Sequence, residues 1–172
     1  QTVTEDQFMN AVDFMEKKIA DGWIRGVKGN EYAEDLTSGD ATAVIGWSGD
    51  MFILASENEG KFDFAIPDSG GTISGDNLLV PSTASAEGKA NAEKLINFYY
   101  DPVIAAEVAA YVNYVCPVKG AQEEMEKFDP ELASSPYIFP DAATSAKLGV
   151  FRSLTPAEET TCGEAFQKAA GN

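Results

Sequence analysis

Apolar residues recur along this chain with two different periods, and the change of period divides it. Thr4-Glu5-Asp6-Gln7 has the form of a capping box, and Phe8, Val12, Met15 and Ile19 follow at helical spacing. That pattern predicts an amphipathic helix ending near Gly22. A second, shorter helix is expected over 31–36, stopped by Ser38-Gly39. Residues 39–81 then carry three short apolar runs, each released into a turn of Gly, Asp, Ser or Pro. The runs at 41–46, 62–67 and 77–80 are too short for independent helices and are predicted as strands. The first of them is apolar on both faces, as in a parallel sheet covered by helices. Between them Ser48 or Asp50 can cap a helix carrying the apolar turn MFILAS.

Helical spacing returns after Ser85 with Ala92, Leu95, Ile96 and Tyr99. Asp101 is a good N-cap and Pro102 a good first helical residue for a further helix to Val112. The alanines Ala105, Ala106, Ala109 and Ala110 in it permit close helix packing. Short helices are expected over 122–128 and from Asp141 to near Gly149. The box Thr155-Pro156-Ala157-Glu158 starts a terminal helix reaching Gly171. Strands followed by helices make the predicted class α/β.

Composition narrows the functions open to such a chain. With 172 residues and 44% hydrophobic content there is enough for one core. The formal charge of −16, from 28 acidic and 12 basic residues, argues against nucleic-acid backbones and anionic membranes as partners and fits a cationic ligand. No window resembles a membrane span, and no basic start leads into an apolar leader. The latter carries little weight in a chain that opens on Gln1 rather than Met. Histidine is absent, which removes the commonest neutral-pH general base, the Ser/His and Cys/His nucleophile systems and most zinc sites. No metal site and no cofactor are expected. Cys116 and Cys162 are compatible with a disulfide or with two separate buried thiols.

Polar and aromatic groups gather at the ends of the predicted strands: Trp47, Ser48, Asp50, Ser74, Asp76 and Asn77. In open α/β sheets that is where ligands bind. If Trp47, Asp76 and Tyr114 shared a cleft, two aromatic faces would receive methylenes and an ammonium, and the carboxylate would add a charge-assisted hydrogen bond. This is a binding constellation without a nucleophile and base. Trp23 reads either as a ring covering a helix end or as a pocket wall. The sequence around Ser48, GWSGD, lacks the last glycine of a G-x-S-x-G elbow and has no histidine to serve it. The glycines make neither a dinucleotide nor a phosphate-binding motif.

The stretches SGDATAVIGWSGD (38–50), IPDSGGTISGDNLLVP (66–81), NAEKLINFYYDPVIAAEVAAYVNYVCPVKGAQE (91–123) and FPDAATSAKLGVFRSLTPAEE (139–159) together resemble the polyamine-binding branch of the solute-binding proteins that serve bacterial ABC importers. The resemblance implies part of a two-lobed, periplasmic-binding-protein-like (type II) fold. Residues 1–67 would belong to the second lobe, with a hinge-crossing strand near their end. Residues 68–115 would belong to the first lobe, and 116–172 would return to the second. It further implies spermidine, putrescine or a similar organic cation as ligand, an ABC permease as partner, no chemistry on the ligand, and a periplasmic or extracellular location, with lipid anchoring of a full-length protein as one option. Trp47 matches an indole lining the ligand's carbon chain, Asp76 a carboxylate gripping an amine, and Tyr114 a further aromatic contact.

Two positions depart from that pattern. Ser74 stands where the family commonly has Trp, and Phe151-Arg152 stands where some members place a ligand-binding Gln. Arg152 turned inward would repel a polyamine and point to a different small ligand. The resemblance covers the family's C-terminal half, so the expected partners include the missing N-terminal half or a second copy of the chain. The alternatives are a binding protein of the same fold for another ligand, a hydrolase using two carboxylates, and a structural half-domain without a site.

Overall fold

In the computed structural model the described residues are 3–171. The elements in chain order are helices α1 (Glu5–Ala20), α2 (Tyr32–Ser38) and α3 (Ser48–Glu57), strand β1 (Gly71–Thr72), helices α4 (Ala86–Tyr99), α5 (Pro102–Val112), α6 (Ala121–Met125), α7 (Pro130–Ala133) and α8 (Ala142–Ser145), strand β2 (Leu148–Gly149) and helix α9 (Pro156–Ala170). The described residues up to Gly46 and from Gly149 onward form one compact unit, and Trp47–Leu148 form another.

The first unit is built on α1 packed against α9. Both helices begin with the boxes read from sequence. In α1, Thr4 Oγ1 accepts from Gln7 N–H at 3.2 Å while Gln7 Oε1 accepts from Thr4 N–H at 3.0 Å. In α9, Thr155 Oγ1 accepts from Glu158 N–H and Glu158 Oε2 accepts from Thr155 N–H at 2.8 Å. Each box satisfies two donors that a helix start would otherwise leave open. Val12, Cys162 and Ala169 are buried in this unit. Trp23 is 80% exposed, with the Lys18 ammonium 5.8 Å from its ring. The Trp23 backbone N–H donates to Lys18 O at 2.9 Å, so the residue finishes the end of α1.

The second unit centres on α5 and α6. Ala105, Ala106 and Ala109 of α5 are buried together with Ala121, Met125, Ala133 and Ile138. Alanine faces let the two helices approach closely, and larger side chains from one side fill what remains. The Asp101 carboxylate caps α5 by accepting from Val103 N–H at 3.0 Å, with Pro102 in the first turn. The segment between α5 and α6 is tied in by Cys116 N–H donating to Ile138 O at 3.0 Å. Both cysteines are free thiols, Cys162 buried and Cys116 half-buried.

The predicted strands are not strands here. Among the described residues the only sheet is the two-residue pair β1–β2, supported by Gly71 N–H donating to Lys147 O at 3.0 Å. Burial nevertheless alternates through 62–67, with Phe62, Phe64 and Ile66 half-buried and their neighbours exposed. The side-chain pattern of a strand is therefore present without the ladder. A strand needs a neighbouring backbone to complete it, and 41–46, 62–67 and 77–80 meet none among the described residues. Ile45 and Leu79 are correspondingly open to solvent. The result is a helix-rich chain with few strands.

Two outcomes follow from this packing. Ala106→Leu, at a fully buried position, would overfill the α5–α6 contact and lower stability by about 1–3 kcal/mol in a denaturant titration, whereas an unchanged midpoint would contradict the close packing. Separately, Glu158 is held at about 2, below its ordinary 4.5, first by the Arg152 guanidinium and then by Thr155. A depressed carboxylate stabilises fully above its unfolded value and loses that contribution as pH falls through the folded one. The melting-temperature gap between the wild type and Glu158→Gln, which keeps the box, should therefore close as pH drops from about 4.5 to 2. A gap constant over that range would refute the pairing.

Candidate functional site

The site grows from the first turn of α3. Trp47 is the N-cap residue, in extended geometry and without a side-chain cap bond. Ser48 is thus the first helical residue rather than the cap. Trp47 O accepts from Met51 N–H at 3.2 Å, and the indole is 52% exposed. The turn is anchored by Gly49, Met51 and Leu54, all buried. Asp50 lies in that turn, where the positive end of the helix favours a carboxylate.

Tyr114 reaches this turn from the end of α5. Asn113 adopts a left-handed conformation, φ 56°, and its N–H donates to Ala109 O at 2.9 Å, closing the helix. Asparagine tolerates that region better than most residues, and the chain reverses there. The Tyr114 ring then lies over Gly49, where a Cβ would run into it. Its hydroxyl donates to Asp50 Oδ1 at 3.0 Å. A phenol bound to a carboxylate orients the acceptor while leaving its charge in place. One helical turn therefore presents an exposed indole, an oriented carboxylate and a second aromatic ring, a set suited to an organic cation. Among the described residues no cluster of His, Cys, Asp and Glu is suited to a metal ion.

The other expected site residues are carried on other segments. Ser74 and Asp76 are exposed on the extended segment after β1, where Asn77 Nδ2 donates to Gly75 O at 3.4 Å. Among the described residues neither side chain is hydrogen-bonded or ion-paired to Trp47, Asp50 or Tyr114. Arg152 is in the other unit, and its guanidinium is committed locally. Nη2 donates to Glu158 Oε1 at 2.7 Å, Nη1 to Glu158 Oε2 at 3.2 Å and Nε to Val3 O at 2.8 Å. The Glu158 bonds keep Arg152 firmly protonated. It staples the start of α9 to the chain before α1.

The sequence marks Asp50 only as a strand-end group or a cap and does not join it to Tyr114. Its spacing of three from Trp47, one helical turn, was the available signal. The need for glycine at 49 had none, because the ring that demands it comes from 65 positions away. Gly49→Ala should displace Tyr114, break the Asp50 bond and cost about 1–3 kcal/mol, with the ring resonances of Tyr114 moving in NMR spectra. A variant with unchanged stability and unchanged Tyr114 shifts would contradict the stacking.

Comparison with known proteins places this geometry in context. Residues 3–140 match the family described as bacterial extracellular solute-binding protein. The putrescine-binding periplasmic protein of Escherichia coli K12 is 28% identical over 138 residues, covering 77% of this chain and 36% of that protein. The spermidine/putrescine-binding periplasmic protein of the same organism is 32% identical over 136 residues, covering 79% and 37%. The putrescine/cadaverine-binding protein of Pseudomonas aeruginosa is 27% identical over 130 residues, covering 73% and 35%. The chain thus spans about a third of the length of the curated relatives it matches.

Proposed function

This chain belongs to the bacterial extracellular solute-binding protein family, and from that premise we propose that it binds a polyamine or a similar organic cation for delivery to an ABC importer. The observation that carries the reading is the start of α3, where the Tyr114 ring covers Gly49 and its hydroxyl orients the Asp50 carboxylate, with an exposed Trp47 as the N-cap residue of the same turn. Cation–aromatic contacts contribute roughly 0.5–2 kcal/mol each, and a charge-assisted hydrogen bond adds to them. Relatives named for putrescine, spermidine and cadaverine support the ligand class.

In this reading Asp76 supplies a second carboxylate and Ser74 lines the neighbouring wall, both carried on the exposed segment after β1. Closure of a two-lobed type II fold around the ligand brings that segment into contact with it. The ligand is held and released unchanged, outside the cytoplasm, and the receptor passes it to a permease. Arg152 takes a structural role, consistent with its bonds to Glu158 and Val3. The alternative of an anionic ligand needs that arginine to face the site.

Isothermal titration of the 172-residue chain with putrescine and spermidine tests the proposal. Saturable binding is expected, with none for butane-1,4-diol. Trp47→Ala and Asp50→Asn should each weaken it about tenfold or more, equivalent to about 1.4 kcal/mol. Absence of heat at millimolar diamine, or equal binding of the diol, would refute it.

A further inference from the structure

A cavity of about 490 Å³ in the Trp47–Leu148 unit is lined by none of Trp47, Asp50, Asp76 or Tyr114. Its apolar walls are Phe52, Leu132, Pro136 and Tyr137, and its acidic lining comes from Asp129 and Glu131, which flank Pro130 at the start of α7. The walls are held from behind. Phe52 and Tyr137 meet edge-to-face with centroids 5.4 Å apart, and Tyr137 meets Phe64 at 5.1 Å. The Tyr137 hydroxyl donates to Phe64 O at 3.2 Å, which ties the ring in place. Leu132 packs against the buried α5–α6 cluster.

The charge of the lining is one-sided. Asp129 Oδ1 accepts from Leu132 N–H at 3.0 Å, which orients the carboxylate, and Oδ2 takes no hydrogen bond among the described residues. Among the described residues no lysine or arginine lines the cavity. Lys127 is paired with Glu124 and Lys147 with Asp68. Lys147 borders a separate cavity of about 200 Å³ that shares Pro136 and Tyr137. Anions are repelled by such a lining, and a neutral apolar molecule would strip water from two carboxylates without replacing it. A cation with a short hydrocarbon tail satisfies both surfaces, and the volume lies in the range of small-molecule sites, about 300–1,000 Å³.

We propose that this cavity is a second binding site, for a primary alkylammonium, with the ammonium on Asp129 and Glu131 and the alkyl chain against Phe52, Leu132 and Tyr137. It is independent of the site at α3's first turn. The test is an NMR titration of the isotopically labelled full chain with butylammonium chloride, following the amides of 131–135 and 137, with 1-butanol as control. Saturable shifts are expected there for the amine alone. They should persist in Asp50→Asn, whose change affects the other site, so failure of either site is read separately. Asp129→Asn combined with Glu131→Gln removes both charges while asparagine keeps the cap of α7, and should weaken binding tenfold or more. Phe52→Leu, which keeps the wall apolar but removes the ring's negative face, should weaken it less. Shifts that do not saturate, equal response to butanol, or affinity unchanged in the charge-removing pair would overturn the proposal.

Discussion

The close approach of α5 to α6 is the constraint on which the second unit depends. It is possible because the facing residues are alanines, fully or nearly fully buried, with Met125 and Ile138 filling the space beside them. That packing sets where α5 ends. Its end sets where Asn113 reverses the chain, and the reversal delivers Tyr114 to α3. A second small residue, Gly49, receives the ring. Cores packed at crystal-like density transmit such placements over several side chains. The binding residues are thus positioned by missing side-chain bulk at two interfaces as much as by polar bonds.

Electrostatics divides along the same lines. Within a chain of net charge −16, several basic side chains are engaged in ion pairs of their own. Lys28 meets Asp35 at 2.6 Å and Arg152 meets Glu158 at 2.7 Å. Asp50 accepts from the neutral Tyr114 phenol, a bond that orients a carboxylate without itself neutralising it.

Local signals were legible and non-local ones were not. The boxes at Thr4 and Thr155, the Asp101-Pro102 start of α5 and its alanine face all appear as read, because each depends on residues within one or two turns. The strands at 41–46, 62–67 and 77–80 depend on backbone partners that no local pattern supplies, and only the alternating burial of 62–67 survives. Trp47 was legible as an aromatic at the end of a predicted strand, and Tyr114 chiefly through the resemblance. The bond from Tyr114 to Asp50 spans 64 residues and shows only in three dimensions. For Arg152, the cue lay six residues ahead in Glu158, a capping-box acid whose second oxygen was available for an ion pair.

The account turns on Tyr114 acting through Asp50 at the cation site. A double-mutant cycle of Tyr114→Phe and Asp50→Asn, read as putrescine affinity, tests that most directly. Coupled residues give an interaction energy of about 0.5–3 kcal/mol, and that is the result expected. Strict additivity of the two substitutions, or no change in affinity from either, would contradict it.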